Sequence, residues 1–244
     1  MTENLIRDAA GLFGLRSSEA ARAEWGQRIG ARMPASLRQA SEYPDLLDAV
    51  AEVFDGRACW PHEVRWGAEG YLPTAPDGVL MLMWENQGVC AWGVPLDRGD
   101  NPPVLVGGDL HDGQTLLEFS PSIGEFVFAF AWDAVAMRQE PLLQAQAAEL
   151  DRETEDFLVA RYRQSVMTRG WPCGRNLRFE GDSGIRILLW SCEGQCDWWV
   201  SATDPAVLRR EAEVLMSLSD LRTSFWSNEN GGVDLLRELR GEAL

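Results

Sequence analysis

Two continuous apolar runs joined by a short polar turn constrain this chain more than any other feature of its sequence. Residues 78–96 read GVLMLMWENQGVCAWGVPL, with apolar runs at 79–84 and 89–94. The intervening ENQG is a four-residue connection, and its Gly88 can adopt a positive φ. A strand that is apolar on both faces must be covered on both sides. The pattern therefore predicts a β-hairpin in the middle of a sheet.

A second segment aligns on this hairpin without gaps, at an offset of 106 residues. It is GIRILLWSCEGQCDWWV at 184–200, which aligns on 78–94. The identical pairs are Gly78/Gly184, Leu82/Leu188, Trp84/Trp190, Gly88/Gly194, Cys90/Cys196, Trp92/Trp198 and Val94/Val200. The similarity reflects either the common chemistry of two buried hairpins or an ancient duplication, and the flanking helices do not repeat it. A second hairpin is predicted at 184–200, and both origins stay open.

The rest of the chain shows helical patterns before, between and after the strands. Helices are expected at 4–31, after Pro34, at 114–136 (a short helix, then a strongly apolar one), at 144–168 and at 206–218. We therefore expect an α+β fold: a twisted, mostly antiparallel sheet flanked by helices, with a C-terminal α/β extension as a candidate second sheet-bearing lobe. The expected division is an α+β core at 1–140 and a C-terminal subdomain at 141–244.

The charged residues exclude several classes of function. The chain has 38 acidic and 22 basic residues, a formal net charge of −16, and every basic residue is Arg. Without Lys, the chain cannot form a lysine Schiff base or use a P-loop lysine. Two histidines, His62 and His111, are too few for a site of several imidazoles. A chain this acidic disfavours nucleic acid and anionic membrane as partners, so neither is expected. No metal or cofactor is expected either, because the residues and spacings that would hold one are absent from the sequence.

The sequence also bears on where the protein works. The first twenty residues carry Glu3, Arg7 and Asp8 and lack an uninterrupted apolar core, so we do not expect a signal peptide. No stretch approaches the roughly 18 apolar residues of a membrane span. The five cysteines are an odd number and mostly sit in apolar stretches, as reduced core cysteines do. A cytoplasmic protein with reduced thiols is expected.

Two short motifs suggest chemistry but have simpler explanations. Cys192 and Cys196 flank a predicted turn and have no second pair at zinc-ligand spacing, so partly buried thiols are expected, with a reversible disulfide between them as the alternative.

GDSG at 181–184 is similar to the nucleophile loop of serine proteases. Neither histidine lies in a motif of that family, and two glycines suit a β-turn. We expect the turn.

Acidic residues cluster in one loop region that also carries Gly and Pro. They are Asp97, Asp100, Asp109 and Asp112. Their spacing is too wide for a calcium-binding loop. The expectation is a solvated negative loop, with a partner-facing acidic patch as the alternative.

The chain has 11 tryptophans, and eight of them fall into two groups by position. Strand segments carry Trp84, Trp92, Trp190 and Trp198. Helix or loop segments carry Trp25, Trp60, Trp66 and Trp226. Core positions are expected for all of them, and any member of the second group that is exposed becomes a candidate interface anchor, because Trp is enriched at binding hot spots.

The region at about 20–135 resembles the SUKH superfamily of bacterial immunity proteins of polymorphic toxin systems, which are related to fungal regulators of cell-wall synthesis. The residues that carry the resemblance are Met33-Pro34 with Leu37-Arg38, Trp84-Glu85-Asn86-Gln87-Gly88-Val89, Trp92-Gly93-Val94 and Asn101-Pro102-Pro103-Val104. The acidic, glycine-poor stretch at 40–58 departs from the family pattern. Among the motif residues, Glu85, Asn86 and Gln87 suit a structural role, because their side chains can bond the exposed backbone groups of a tight loop, and direct partner contact is the alternative.

The resemblance implies an α+β fold without catalytic residues. It implies a protein that binds and neutralises a cognate toxin domain, with a basic nuclease as one candidate class of toxin. The alternative function is a cytoplasmic regulatory scaffold that docks a housekeeping enzyme. Both functions require a protein partner, whose identity and contact surface the sequence leaves open, as it does the oligomeric state.

Overall fold

A computed structural model describes residues 2–29, 33–54, 56–59, 79–108, 116–170 and 173–242. It confirms the α+β class, because helices accompany two mostly antiparallel sheets. The chain forms two compact units, Met1–Ala134 and Val135–Leu244. Each unit has its own sheet, so the C-terminal extension is a sheet-bearing lobe.

The first unit begins with four helices. They are α1 (Thr2–Leu12), α2 (Glu19–Ile29), α3 (Ala35–Ala40) and α4 (Leu46–Ala51), the last followed by a 3₁₀ turn at Glu52–Phe54. The helical segment expected at 4–31 consists of two helices, α1 and α2. Gly14 ends the first with φ +69, and the amide of Leu15 donates to the carbonyl of Ala10 at 2.8 Å, which completes a Schellman-type helix end.

In the part of the first unit that the structure describes, the sheet is an antiparallel meander of five strands. Its strands, in spatial and chain order, are β1 (Arg57–Ala58), β2 (Val79–Trp84), β3 (Cys90–Pro95), β4 (Val104–Gly108) and β5 (Leu117–Ser120). Strands β2 and β3 are buried along their whole length, as predicted for the hairpin. The hairpin therefore occupies the interior of a sheet.

Helix α5 (Ile123–Arg138) follows the meander directly. The short helix expected at the start of 114–136 is wrong, because Leu117–Ser120 pairs with β4 as a strand. The amide of Glu125 donates to the Ser122 hydroxyl at 3.1 Å, a side-chain cap in the first turn of α5.

An aromatic cluster joins the central hairpin to α5. The ring of Trp92 meets Phe119 and Phe130 edge-to-face at centroid distances of 5.9 and 5.8 Å. Phe119 in turn stacks on Phe130 at 5.6 Å. Because all three rings are buried, the contacts fix the hairpin against the helix.

Over 135–170 and 173–242, the second unit contains six strands and, after α5, four helices. The strands are β6 (Leu142–Ala147), β7 (Arg163–Gln164), β8 (Thr168–Arg169), β9 (Arg175–Glu180), β10 (Arg186–Cys192) and β11 (Gln195–Ser201). The helices are α6 (Arg152–Arg161), α7 (Pro205–Leu215), α8 (Leu221–Ser224) and α9 (Asn230–Arg240). The antiparallel order is β6-β11-β10-β9-β7, and β8 pairs with β9.

The helix expected at 144–168 is wrong at both ends, because α6 ends at Arg161 and strands β7 and β8 begin at Arg163 and Thr168. Strand β6 occupies 142–147, where alternate residues face the helix-side core and the intervening glutamines face the other side. Helix α6 begins later, at an N-cap where the Asp151 carboxylate accepts from the amide of Thr154 at 2.7 Å. The expected start of α7 is confirmed, because the Asp204 carboxylate accepts from the amide of Ala206 at 2.8 Å.

One face of the second sheet packs on the helices of its unit. The buried core there includes Leu143, Leu158, Leu177, Phe179, Ile187, Leu189, Trp198, Val200, Leu208, Leu215, Phe225 and Leu236. Strand side chains alternate between faces. The residues between these core positions on the strands therefore lie on the opposite face.

Candidate functional site

The turn of the first hairpin is organised by Glu85. Its carbonyl accepts from the amide of Gly88 at 2.9 Å, and its carboxylate accepts from the amides of Gln87 and Val89 at 2.9 and 3.5 Å. Gly88 has φ +70, which a side-chain-bearing residue rarely adopts. These contacts make Glu85 a structural residue of the turn.

The remaining motif residues divide between the surface and the core. Asn86 and Gln87 are exposed, and Val89 is 51% exposed at the tip of the turn. Trp92 is 2% exposed and lies in the aromatic cluster under the sheet. Within this motif, Asn86, Gln87 and Val89 are therefore the side chains open to a partner.

The second hairpin repeats the register of the first beside the turn. The corresponding cross-strand pairs are Trp84/Ala91 with Trp190/Asp197, and Met83/Trp92 with Leu189/Trp198. Gly194 has φ +79, close to the value at Gly88. A β-bulge between Met81 and Met83 ends the match. The predicted hairpin at 184–200 is confirmed.

Three tryptophans lie on the face of the second sheet that points away from its helices. Trp226 pairs with Gln144 through two backbone hydrogen bonds of 2.7 and 2.8 Å, and Gln144 in turn lies opposite Trp199. Residues directly opposite in an antiparallel pair share a face. The ring of Trp190 contacts that of Trp199 at 4.7 Å. We call Trp190, Trp199 and Trp226 the tryptophan face.

Polar and acidic groups border the tryptophan face. The carboxylate of Asp197 accepts from the side-chain amides of Gln195 and Gln146 at 2.9 and 3.4 Å. At the adjacent hairpin turn, Glu193 is exposed, and the carboxylate of Glu149 accepts from the amide of Gly194 at 3.2 Å. Three carboxylates therefore gather at one end of the face.

The exposure of Trp226 overturns its expected core position. Its side chain is 42% exposed, whereas the neighbouring Phe225 is 2% exposed and belongs to the core. Trp190 and Trp199 are half-buried. Trp60 and Trp66 lie outside the described residues, and the side chain of Trp25 is not among those described.

A cleft of about 700 Å³ lies elsewhere in the second unit, where α7 and α9 begin. Its lining includes Glu140, Thr203, Asn228, Glu229 and Asn230. Burial raises the pKa of the Glu229 carboxyl, and the negative charge of Glu140 raises it further. The Glu140 carboxylate thus lies close enough to Glu229 for its charge to act on it. Sequence reasoning missed this cleft.

A buried polar cluster connects α6 to α7. The Glu211 carboxylate is 5% exposed and accepts from the Tyr162 hydroxyl at 2.9 Å and from the guanidinium groups of Arg161 and Arg210 at 3.0 and 3.1 Å. Burial alone would raise the pKa of Glu211, but these hydrogen bonds outweigh it and hold the pKa below its usual value. Burial raises the pKa of Tyr162 to about 12. Every group has a partner, so the cluster is structural.

The cysteines differ from the expectation of five reduced thiols. Cys173 and Cys192 form a disulfide, with their Cα atoms 5.7 Å apart. Cys192 lies opposite Gln195, whereas Cys196 lies opposite Ser191 and faces the core. Cys192 and Cys196 thus lie on opposite faces of the hairpin, which excludes a disulfide between them.

The GDSG segment is a turn, as predicted. The amide of Gly184 donates to the carbonyl of Gly181 at 3.0 Å, and the amide of Gly181 donates to that of Ile185 at 3.1 Å. The exposed hydroxyl of Ser183 accepts from Arg210 at 3.3 Å. His62 and His111 lie outside the described residues.

Half of the predicted acidic loop lies in the described part of the chain. Asp97 and Asp100 are exposed, and the carbonyl of Asp100 accepts from the amide and hydroxyl of Ser36 at 3.0 and 3.1 Å. Those bonds tie the loop to the first turn of α3. Asp109 and Asp112 lie outside the described residues.

Within the described ranges, no helix combines the length and apolar character that crossing a membrane requires. In the same ranges, no three His, Cys, Asp or Glu side chains converge as metal ligands would. Comparison with protein-family models, with curated proteins and with solved structures found no match to this chain.

Proposed function

We propose that this chain is a non-enzymatic, cytoplasmic immunity-type protein that binds and neutralises a cognate toxin domain. The observation that carries the proposal is the position of the ENQGVCAWGV segment. It forms the interior hairpin of an antiparallel meander that helices precede and α5 follows. The SUKH resemblance, which this segment carries, implies an α+β fold, and the first unit has a fold of that class.

The exposed residues of the hairpin turn offer a contact surface to such a partner. Asn86 and Gln87 provide amide donors and acceptors, and Val89 provides an apolar tip. Glu85 orders the backbone beneath them, so little entropy is lost when the turn is bound.

The net charge of −16 favours a basic partner. A nuclease carries positive charge where it holds its polyanionic substrate. An acidic protein meets that surface by long-range attraction and can cover the substrate groove. A basic nuclease domain is therefore our proposed class of toxin.

Co-expression tests the proposal. The proposal predicts a gene for a large, multidomain secreted protein immediately upstream, and the toxic domain of that protein is produced in a bacterial host with and without this chain. We expect growth arrest from the toxin alone, and restored growth with a purifiable complex when both are present. Growth arrest that this chain does not relieve would contradict the proposal.

The second candidate is a regulatory scaffold that docks a housekeeping enzyme. It is favoured by the tryptophan face, which lies in the unit outside the segment that resembles the SUKH superfamily. A pull-down from the native host separates the two functions. Recovery of a metabolic enzyme, with no toxin gene beside this one, favours the scaffold.

A further inference from the structure

We infer that the tryptophan face of the second unit is a docking surface for an arginine-bearing, basic segment of a partner protein. The inference rests on the proposed function, in which that partner is the toxin domain. It adds a contact surface in the second unit, separate from the hairpin turn of the first.

The first argument is the exposure of Trp226 at the edge of the sheet. Phe225 packs into the core, while the next residue leaves its indole 42% exposed on the opposite face. An indole is costly to leave in water and is the side chain most enriched at interface hot spots. Trp190 and Trp199, on the same face, extend the aromatic surface.

The second argument is the extent of the open surface. Two residues on the same face are 0% exposed: Leu188, directly opposite Trp199, and Ser201, at the end away from the hairpin turn. The accessible part is therefore the edge of the sheet that holds Trp226, with the half-buried Trp190 and Trp199 beside it. A confined aromatic patch with a polar rim has the anatomy of a protein interface.

The third argument is charge. The carboxylate-bearing Asp197 lies directly opposite Trp190, and Glu149 and Glu193 place two more carboxylates at the adjacent hairpin turn. A guanidinium can stack on an indole face while it donates hydrogen bonds to a neighbouring carboxylate. Arginine satisfies both features of this surface at once, which an acidic or purely apolar segment cannot do.

The test compares matched pairs of variants with a deca-arginine peptide as the probe. Trp226→Ala and Glu193→Gln alter the tryptophan face, and Val159→Ala and Glu153→Gln make equivalent changes on the exposed surface of α6. Calorimetry at low salt should show affinity reduced about 10-fold by Trp226→Ala, and by less for Glu193→Gln. The two α6 variants should stay within about twofold of wild type. Equal losses in both pairs, or no binding by the wild type, would overturn the inference.

A second measurement separates this inference from the proposed function. If the toxin domain binds wild type and Trp226→Ala equally, the docking surface is wrong and the function stands. If deca-arginine binds at the tryptophan face but the toxin domain does not bind at all, the function is wrong and the surface stands. A homodimer that dissociates in Trp226→Ala, seen by light scattering, would overturn the inference, because a second copy would occupy the face.

Discussion

Trp92 and Trp198 hold the same position in the cross-strand ladders of two separate hairpins. Trp92 lies opposite Met83, and Trp198 lies opposite Leu189. In both hairpins, the residue that follows this partner is a tryptophan. Each is almost completely buried, at 2% and 1% exposure. Both hairpins therefore bury a tryptophan at the same register position, whether by common descent or by convergence.

Truncating a hairpin tryptophan should destabilise the protein strongly. Trp92→Ala removes the indole from the aromatic cluster, and we expect a loss of about 3–5 kcal/mol in the free energy of unfolding. Trp84, 8% exposed on β2, should behave similarly. Urea denaturation measures both. Trp226→Ala, at an exposed position, is the control and should cost far less; equal losses would refute the burial argument.

The stability of the first hairpin turn should depend on the side chain of Glu85 and not on those of Asn86 and Gln87. Glu85→Ala removes the acceptor for the amide of Gln87 and should cost about 0.5–1.5 kcal/mol. Asn86→Ala and Gln87→Ala change exposed side chains and should stay within about 0.5 kcal/mol of wild type. Thermal unfolding compares the three variants. Loss of toxin binding in Asn86→Ala or Gln87→Ala at unchanged stability would identify these side chains as partner contacts.

Acid should weaken the cluster between α6 and α7. The folded-state pKa of Glu211 is lowered from its usual value of 4.5. The stabilisation that the ionised carboxylate gives the folded protein is therefore complete above the pKa of the unfolded state, and it is lost as pH falls through the pKa of the folded state. Glu211→Gln should therefore cost about 1–3 kcal/mol at pH 7, and the difference from wild type should shrink below about pH 4.5. Denaturation at a series of pH values gives the profile. A difference that is constant with pH would contradict the ionised role.

Thiol counting tests the disulfide. In denaturant without reductant, the native protein should show three free thiols, those of Cys59, Cys90 and Cys196. In the folded protein, Cys90 and Cys196 should react slowly, because burial raises the pKa of each thiol to about 12. Cys173→Ser with Cys192→Ser should lower stability by about 3 kcal/mol. Five free thiols would show that both cysteines are reduced.

Salt should slow association with the proposed toxin. Attraction between a chain of −16 and a basic surface fades as the Debye length falls below about 10 Å at 0.1 M salt. The association rate should drop steeply between about 50 and 500 mM salt, while dissociation, set by buried anchors, should change little. Stopped-flow binding measures both rates. A flat association rate would leave the charge only a role in solubility.

The hairpins are predictable because burial on both faces leaves a continuous apolar run between turn residues. Strand β6 is different. Its sequence, LLQAQA, consists of residues that favour helices, and it becomes a strand because β11 and Trp226 supply backbone partners on its two sides. Those partners come from distant parts of the chain, so the local pattern does not reveal them.

The tryptophan face could not be predicted from the local sequence either. Its tryptophans come from three segments, and the exposure of Trp226 depends on the bridge to Gln144. The pairing of Cys173 with Cys192 likewise depends on the alignment of β9 with β10, in which Arg175 lies opposite Ser191. In contrast, the hydrogen bonds of Glu85 lie within one turn, so its structural role can be predicted from the four residues ENQG alone.

The Cys173–Cys192 bond has a consequence for proteolysis. It joins the start of β9 to the end of β10, so the exposed turn at 181–184 lies inside the covalent loop. Exposed turn tips are preferred sites of proteolytic nicking. A protease that cuts after Asp182 or Ser183 would leave a chain whose two pieces separate on a gel only after reduction. Cleavage at this open turn therefore releases no fragment, and the two strands beside it stay paired.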